Sequence, residues 1–414
     1  MAGFDKYFLM KAADAAEFAS ARLRFFDRDA ELEHSEIGDG NLNYIFRIVD
    51  RKSGKSVVIK QAGDTARISD QFKVSPDRNR IEYDILRIEN ELAPGLVPNV
   101  YGYDPVMNCT SMEDLSDHLI MRRALLERRK YPLFADHIST FMANTLLLTT
   151  DAVMDHKKKK ALVGSFINPD LCEITEDLVY TEPFNDLKSR NELFAPNREF
   201  LERELYGDES LRLETAKLKF EFYQNAQSLI HGDLHTGSIF VRPDSTKVID
   251  PEFAYFGPAG YDVGCLLSNL VFAWVNADTT MADPAARDDY TRWLAETLGL
   301  TLELFKRKWK ALWDARVAEP TARYAGFAEW YLDGILRDTA GIGGLELCRR
   351  TVGIAHVKDI AGIADAAQRV RAERVCISMA KRLIMERERI MSGEDWLELL
   401  AWAAKRHPRT PAGK

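Results

Sequence analysis

Residues 230–240 read IHGDLHTGSIF, and residues 248–262 read VIDPEFAYFGPAGYD. The first stretch places His231, Asp233 and His235 close together, and the second adds Asp250 and Glu252 on either side of a proline. Glycine and proline between short apolar runs indicate turns at strand ends rather than a helix. The two stretches therefore predict several carboxylates on rigid loops.

Such carboxylates suit phosphoryl transfer, in which a protein holds divalent metal on the phosphates and orients the acceptor hydroxyl. Asp233 stands where the kinase HRD pattern has the aspartate that accepts the hydroxyl proton. Asp250 follows the short strand KVI, as the metal-binding aspartate of the DFG pattern does, and Glu252 adds a second hard oxygen ligand suited to Mg²⁺. We expect Asp233 to be catalytic and Asp250 and Glu252 to hold the metal.

Zinc is the competing interpretation of His231 and His235, because two histidines four residues apart on a helix are a known ligand pair. Gly232 and Asp233 between them favour a tight loop, on which the imidazoles need not share a face. We expect His231 to brace the loop and His235 to lie near the site. Asp262 is expected to be a buried acceptor for backbone N–H groups of this loop.

Upstream, residues 31–60 alternate apolar and polar side chains around glycine and polar turns, which predicts an antiparallel meander. Residues 77–92 have isoleucine and leucine at helical spacing, followed by proline and glycine. Later stretches such as 198–230 and 367–390 are helical in periodicity, and only the hairpin IFVRP/KVIDP interrupts the helices. The basic run 157–160 is expected to be a solvated loop or helix end.

These patterns predict an α+β fold with two lobes. The first lobe, residues 1–113, is a small antiparallel sheet with one main helix. A hinge at about 112–116 joins it to a larger, mostly helical lobe, residues 117–414. A chain of 414 residues is long enough for two such units.

Glycines 38 and 40 lie between the first two predicted strands, where backbone N–H groups could approach a phosphate. A hairpin glycine needs no ligand, and a strand-end lysine such as Lys60 can simply face solvent. The strand VVIK nevertheless matches the VAIK pattern, and Glu82 on the next helix could pair with Lys60. Together these features predict a nucleotide phosphate site.

Composition narrows the class of partner. The net charge of −8 gives no global attraction to nucleic acid or anionic membranes. Five scattered cysteines indicate free thiols in a reducing compartment. The N-terminus lacks the pattern of a secretory signal. The most apolar run, 263–275, is shorter than the about 20 residues of a membrane helix. We expect a cytoplasmic protein with no nucleic-acid or membrane partner.

The segments GDGNLNYIF, VVIKQA, MEDLSDH, HGDLHTGSIF and DPEFAYFGPAGYD together resemble the methylthioribose kinases, a branch of the aminoglycoside phosphotransferase group with a protein-kinase-like fold. The resemblance spans about residues 34–360. It implies ATP- and Mg²⁺-dependent phosphorylation of the 1-hydroxyl of 5-methylthioribose in methionine salvage, carried out by a homodimer.

The resemblance also implies binding roles for individual residues. Arg349 and Arg350, in CRRTVGIAH, would hold the sugar and neutralise the transferring phosphoryl group. Those expected to contact the sugar are Asn41, Asp233, Arg349 and Arg350. Those expected to bind the nucleotide are Gly38, Gly40, Asn41, Asn43, Lys60 and, through the hinge backbone, Glu113 and Leu115.

Two positions depart from the wider kinase patterns. Asn43 replaces the third glycine of GxGxxG, and Ser238 replaces the asparagine of HRDxxxxN, which leaves the second metal-facing position to Glu252.

The sequence leaves other phosphoryl acceptors open: 5-deoxyribose, an aminoglycoside, choline or homoserine. A non-catalytic nucleotide-binding scaffold is disfavoured because Lys60, Asp233, Asp250 and Glu252 are all retained. A protein kinase is disfavoured because no APE-like segment follows Asp250.

Overall fold

The N-terminal part of the chain is built on a five-stranded antiparallel sheet. The computed structural model describes residues 3–37, 43–63 and 74–409. The strands are β1 (Leu32–Ile37), β2 (Asn43–Asp50), β3 (Ser56–Ala62), β4 (Val100–Asp104) and β5 (Cys109–Met112). They lie in the order β1-β2-β3-β5-β4. The predicted meander is confirmed, and Lys60 lies opposite Ile45 on one neighbour and Thr110 on the other.

One face of this sheet packs against the N-terminal segment. Side chains alternate between faces along a strand, and β2 and β3 bury Phe46, Ile48, Val57 and Ile59 in a small core with residues of that segment. The segment contains helix α1 (Ala12–Glu17), which continues into a π-helical turn at Phe18–Arg22. Lys60, one position along from Ile59, therefore projects from the opposite face.

Helix α2 (Arg78–Leu92) is the main helix beside the sheet, as predicted. Ile81 and Ile85, four residues apart on one face, are buried against Phe166, Leu229 and Phe256. Those three residues belong to the larger part of the chain. The helix therefore connects the sheet to the part of the chain that carries His231, Asp233 and His235.

The remainder of the chain is mostly helical, so the predicted α+β class with a sheet lobe and a helical lobe is confirmed. Its longer helices pack around one large core that includes Phe141, Phe272 and Trp309. The helices are α3 (Met121–Leu126), α4 (Phe134–Leu148), α5 (His156–Ser165), α6 (Pro169–Leu178), α7 (Glu182–Asn185), α8 (Arg198–Leu201), α9 (Glu209–Gln224), α10 (Gly260–Thr280), α11 (Pro284–Arg316), α12 (Phe327–Val352), α13 (Lys358–Ala361), α14 (Ala366–Met385) and α15 (Gly393–Arg406).

Short strands interrupt these helices more often than predicted. They are β6 (Leu119–Ile120), β7 (Ser228–Ile230), β8 (Ile239–Arg242), β9 (Ser245–Val248) and β10 (Tyr255–Gly257). The predicted hairpin is confirmed as β8 and β9. The helical prediction for residues 198–230 was wrong at its end, because β7 pairs with β10 there. A buried three-residue strand is too short to show its own periodicity.

Helices α10 and α12 pack with their backbones nearly in contact. A Cβ at Gly264 would lie 2.5 Å from the carbonyl oxygen of Thr339 and 2.8 Å from the nitrogen of Gly343. Glycine is therefore required for this approach. The contact brings the C-terminal end of α12, with Arg349 and Arg350, towards the loop that carries Asp233.

The basic run differs from its prediction at one position. Lys157, Lys158 and Lys160 are exposed at the start of α5, whereas Lys159 is 2% exposed. Its ammonium group bonds to Asp151 and to the carbonyl oxygens of Ala226 and Gln227, at 2.8 and 2.9 Å. Lys159 is thus a buried support for the turn before β7.

The five cysteines are free thiols, as predicted. None of the helices in the described ranges is long and apolar enough to cross a membrane. Residues 113–118 connect β5 to β6. We retain a lobe boundary at about 112–116 as a proposal.

Candidate active site

The loop between β7 and β8, residues 231–238, is fixed by its own side chains and by α10. His231 Nε2 lies 2.9 Å from the carbonyl oxygen of Ile249, and its Nδ1 accepts from the backbone N–H of Asp233 at 3.3 Å. Asp262 accepts the N–H groups of His231 and Gly232 at 2.8 and 3.0 Å. The predicted bracing roles of His231 and Asp262 are confirmed.

Gly232 has no substitute at the turn of this loop. Its φ is +83°, in the left-handed region, and a Cβ there would lie 2.4 Å from the carbonyl oxygen of Phe253. Phe253 follows the segment Asp250–Pro251–Glu252, here called the DPE segment, so the loop is in direct backbone contact with the end of that segment. The N–H of Ile249 also donates to the carbonyl oxygen of Ser238 at 2.9 Å.

The carboxylate of Asp233 is held by both predicted arginines. Nη2 of Arg349 and Nη2 of Arg350 donate to the same oxygen, Oδ1, at 2.5 and 3.0 Å. Burial disfavours the charged form, but the hydrogen bond from His235 and the charges of Arg349 and Arg350 outweigh it and hold the pKa of Asp233 well below its usual range. The side chain remains 21% exposed. Asp233 is thus an ionised carboxylate that a bound molecule can reach.

His235 lies on the other side of the same carboxylate. Its Nδ1 accepts from the N–H groups of Gly237 and Ser238 at 2.9 and 3.1 Å, so the ring hydrogen of the neutral imidazole is assigned to Nε2. Nε2 is 3.3 Å from Oδ2 of Asp233. Burial is the largest cause of a pKa of about 4 for His235, which makes the ring neutral at physiological pH. His231 and His235 engage different partners on a loop, unlike a zinc pair on a helix.

Ser238 supports the loop. Its hydroxyl donates to the carbonyl oxygen of Asp233 at 3.2 Å, and the residue is 3% exposed. The serine therefore makes a backbone contact within the loop.

Lys60 joins the sheet to α2 and to the DPE segment. Its ammonium donates to Oε1 of Glu82 at 2.8 Å, so the predicted pair is confirmed, and it also contacts Oδ1 of Asp250. Burial disfavours the ammonium, but Asp250, Glu82 and Glu252 outweigh it and raise the pKa of Lys60 above its usual value. Lys60 is therefore a buried cation at the junction of three elements.

Asp250 and Glu252 have different surroundings. Asp250 has a φ of +69°, which is unusual for a residue with a Cβ, and its side chain is 45% exposed. Burial opposes ionisation of Asp250, but Lys60 outweighs it and lowers its pKa. Glu252 is 4% exposed, and its Oε2 accepts from Nδ2 of Asn43 at 2.9 Å and lies 3.4 Å from Nε of Arg78. Burial raises the pKa of Glu252.

Two adjacent carboxylates suit Mg²⁺, which takes one or two protein oxygens beside phosphate oxygens and water. Within the described ranges, no group of three or more histidine, cysteine, aspartate and glutamate side chains could hold a metal. Asp250 is accessible and fits such a role directly. Glu252 fits it only through the oxygen that Asn43 and Arg78 leave open.

The proposed hinge, residues 112–116, offers one backbone donor and one backbone acceptor. The N–H of Glu113 donates to the carbonyl oxygen of Asn99 at 2.8 Å, and the carbonyl oxygen of Leu115 accepts from the N–H of His118 at 2.9 Å. The Glu113 carbonyl and the Leu115 N–H are the complementary groups. They match the amino group and a ring nitrogen of an adenine edge. Of the other nucleotide predictions, Asn43 is described, whereas Gly38, Gly40 and Asn41 lie outside the described residues.

Two residues that contact the site arginines or their partner escaped sequence reasoning. Glu346 is fully buried on α12 and accepts from Nε of both arginines, at 3.0 Å from Arg350 and in close contact with Arg349. Nδ2 of Asn269, on α10, donates to Oε1 of Glu346 at 3.0 Å. The spacing of Glu346 to the arginines, three and four residues on a helix, is a signal that could have revealed the contact.

Comparison with known proteins identifies the group to which these features belong. The phosphotransferase enzyme family matches residues 180–299, which include the loop of Asp233 and the DPE segment. The methylthioribose kinase of Geobacillus sp. (strain WCH70) is 38% identical over 383 residues, covering 92% of this chain and 93% of that protein. The methylthioribose kinase of Geobacillus kaustophilus (strain HTA426) is 40% identical over 385 residues, covering 92% and 94%.

The chain belongs to the methylthioribose kinase family. Membership of this kinase family makes ATP the phosphoryl donor. Among solved structures, the choline kinase from Cryptosporidium parvum has a TM-score of 0.48 and 12% identity, and the match covers 94% of this chain and 99% of that one. The resemblance that the sequence motifs predicted is confirmed for the methylthioribose kinase family over most of the chain.

Proposed function

We propose that this protein transfers the γ-phosphoryl group of ATP to the 1-hydroxyl of 5-methylthioribose, a step of methionine salvage. The observation that carries the proposal is the ionised, accessible carboxylate of Asp233, held between Arg349 and Arg350 beside the Lys60–Asp250 pair. The methylthioribose kinases at 38% and 40% identity support the choice of acceptor.

Asp233 acts as the base. Its carboxylate accepts the proton of the 1-hydroxyl as the sugar oxygen bonds to the γ-phosphorus and the bond from that phosphorus to the bridging β–γ oxygen breaks, leaving ADP. The low pKa of Asp233 keeps it ionised before the reaction. Its contribution is orientation as well as proton acceptance, because a weakly basic carboxylate accepts the proton late in the transfer.

Arg349 and Arg350 remain charged throughout and lie against the base. Guanidinium groups there stabilise the negative charge on the transferring phosphoryl oxygens and donate to sugar hydroxyls. Arg350 is 8% exposed and Arg349 7%, so these charges act in a partly dehydrated site, where their effect is larger than in water. Asn41 is retained as a further candidate contact to the sugar.

The nucleotide would lie between the hinge and Lys60. Glu113 and Leu115 would bind the adenine edge, and Lys60 would contact the phosphates, with Glu82 holding its ammonium in place. Asn43 and the glycines at 38 and 40 complete the proposed phosphate contacts.

Mg²⁺ would be held by Asp250 and Glu252. Bound there, the ion would neutralise phosphate charge and fix the terminal phosphates. Its oxygen ligands must then be shared with the cations that contact them in the described structure, Lys60 at Asp250 and Arg78 at Glu252. A homodimer and a cytoplasmic location are retained as proposals from the sequence.

The proposal is tested by measuring ADP release from ATP and Mg²⁺ with methylthioribose, 5-deoxyribose, ribose, choline and an aminoglycoside. Methylthioribose should give the highest kcat/KM, and phosphorus NMR should show a phosphate on the anomeric carbon. Asp233→Asn serves as the low-activity comparison. A clear preference for choline or an aminoglycoside would show that the proposed acceptor is wrong. An absence of turnover with every compound would overturn the proposal.

A further inference from the structure

Glu346 and Asp233 are bridged by the same two guanidinium groups. Each arginine uses Nε for Glu346 and Nη2 for Asp233. Arg350 Nε meets Oε1 of Glu346 and Arg349 Nε meets Oε2, so the two oxygens of Glu346 each hold one arginine. Both Nη2 atoms then converge on Oδ1 of Asp233. The result is a group of two cations and two anions in which only Asp233 is partly exposed.

Glu346 is well placed to set this geometry because little about it can move. It is 0% exposed, and it lies on the same helix as both arginines. Asn269 donates to its Oε1 at 3.0 Å and accepts from Nη2 of Arg122 at 2.8 Å, which anchors the carboxylate from α10. Burial disfavours ionisation, but Arg349 and Arg350 outweigh it and lower the pKa of Glu346.

The contacts also distinguish the two oxygens of Asp233. An ionised carboxylate oxygen has about two acceptor positions. Arg349 and Arg350 use both positions of Oδ1, whereas Oδ2 has one described protein contact, Nε2 of His235 at 3.3 Å. Within the part of the chain that the structure describes, the remaining acceptor position of this carboxylate is on Oδ2.

We propose that Glu346 is a positioning residue for phosphoryl transfer: by holding Arg349 and Arg350 it fixes Asp233 so that Oδ2 receives the proton of the acceptor hydroxyl. The inference rests on the proposed function, because it assumes that Asp233 is the base. Glu346 touches neither substrate. It acts through the two arginines, and it also balances one of their charges, which a buried site otherwise tolerates poorly.

A purely structural role for Glu346 is the competing explanation, since buried carboxylates paired with arginine also stabilise folds. Glu373 on α14 provides a matched control. It is 1% exposed and accepts from Nε of Arg369 at 2.9 Å and from Nδ2 of Asn197 at 2.8 Å, a similar set of partners. None of these partners belongs to the site.

The test compares Glu346→Gln with Glu373→Gln in the full-length protein. Arg349 and Arg350 use different oxygens of Glu346, and a glutamine replaces one of these oxygens with an NH2 donor, so one arginine should lose its anchor. We expect Glu346→Gln to lower kcat with methylthioribose by up to about 100-fold, the typical cost of a small misplacement. The KM for ATP should change by less than about twofold, because the arginines do not hold the nucleotide base. Glu373→Gln should leave kcat unchanged.

A double-mutant cycle with Arg349→Ala separates action through the arginines from any other effect. If Glu346 acts through Arg349, the double variant should lose less activity than the product of the two single losses. A multiplicative loss, or unchanged kcat in Glu346→Gln, would overturn the proposal. If Glu346→Gln does not fold, Glu346→Asp keeps the charge but shortens the reach to both Nε atoms, and the same split between kcat and the KM for ATP is expected. Full activity of Glu346→Asp would also count against the proposal.

A crystal structure of Glu346→Gln gives a reading that does not depend on the acceptor. At least one Nη2 atom should move out of hydrogen-bonding range of Oδ1 of Asp233, and an unchanged pair of contacts would overturn the positioning role. Wild-type turnover tests the proposed function separately. If the wild-type protein is inactive but an arginine is displaced in the variant, the proposed acceptor is wrong and the positioning of the arginines by Glu346 still holds.

Discussion

Nη2 of Arg349 lies 2.5 Å from Oδ1 of Asp233, although the two residues are 116 positions apart in the sequence. The contact brings the end of α12 to the loop after β7, and the close packing of α10 and α12 permits it. A candidate base is thereby joined to a candidate charge stabiliser. The two residues should therefore differ in which kinetic constants they control.

Asp233→Asn should lower kcat by roughly 10² to 10⁴, the usual contribution of a general base, while ADP affinity stays nearly unchanged. The amide keeps the shape of the carboxylate but cannot accept a proton. ADP release and calorimetric titration of ADP measure the two effects. Unimpaired turnover would remove Asp233 from the mechanism.

Arg349→Ala should lower kcat and raise the KM for the sugar far more than the KM for ATP, because the guanidinium contacts Asp233, the proposed base for the sugar hydroxyl. Arg349→Lys should restore little, since a lysine ammonium cannot reach Glu346 and Asp233 at once. Steady-state kinetics with each substrate varied in turn makes the measurement. A loss confined to ATP would contradict the assignment.

The turnover rate should be nearly constant from about pH 5 to pH 8. The pKa of Asp233 is well below its usual value, so the base stays ionised as the pH falls through this range. His235, with a pKa of about 4, stays neutral over the same range and gains a proton only below it. The measurement is kcat at saturating ATP, Mg²⁺ and sugar. An inflection near the ordinary histidine pKa would show that His235 titrates normally.

Glu252→Gln should raise the Mg²⁺ concentration needed for half-maximal activity by at least about tenfold, because loss of an outer-sphere partner alone typically costs that much. Asn43 and Arg78 would remain to hold the amide, so the fold should persist. Activity is measured as a function of Mg²⁺ at fixed ATP. An unchanged titration would count against Glu252 as a ligand.

Lys159→Ala should lower the free energy of unfolding by about 1–3 kcal/mol, because two partly buried carbonyl oxygens lose their donor. Lys158→Ala, one residue earlier and exposed, should change it by less than about 0.5 kcal/mol. Urea denaturation of both variants supplies the comparison. Equal stability of the two would show that the buried ammonium contributes nothing.

The sequence was sufficient to predict the N-terminal sheet, the helix α2 and some of the contacts that hold the site together. The alternation in β2 and β3 and the spacing in α2 depend on neighbours along the chain. The pairing of Lys60 with Glu82 was predicted from the match to the kinase VAIK pattern. Asp262 was recognised as a loop acceptor from its place after the DPE segment. The strands and the helix thus follow from short-range periodicity, whereas the Lys60 and Asp262 contacts follow from the position of these residues relative to recognised motifs.

Other contacts depend on the packing of elements distant in sequence. The burial of Lys159 requires the carbonyl groups of residues 226 and 227, and no feature of the run KKKK indicates them. Strands β7 and β10 are three residues long and exist because they pair with one another. Glu346 was missed although its helical spacing to the two arginines was visible in the sequence. Its importance depends on the contact of the same arginines with Asp233, which only the tertiary structure reveals.

The ion pair of Lys60 with Asp250 has a consequence for how the site fills. A tethered ammonium competes with free Mg²⁺ for the carboxylate at a high effective concentration. Metal ion alone should therefore give little binding heat, whereas phosphate groups that attract Lys60 would release Asp250 for the ion. Loading of the site is then an exchange of partners, in which nucleotide and metal enter as one unit.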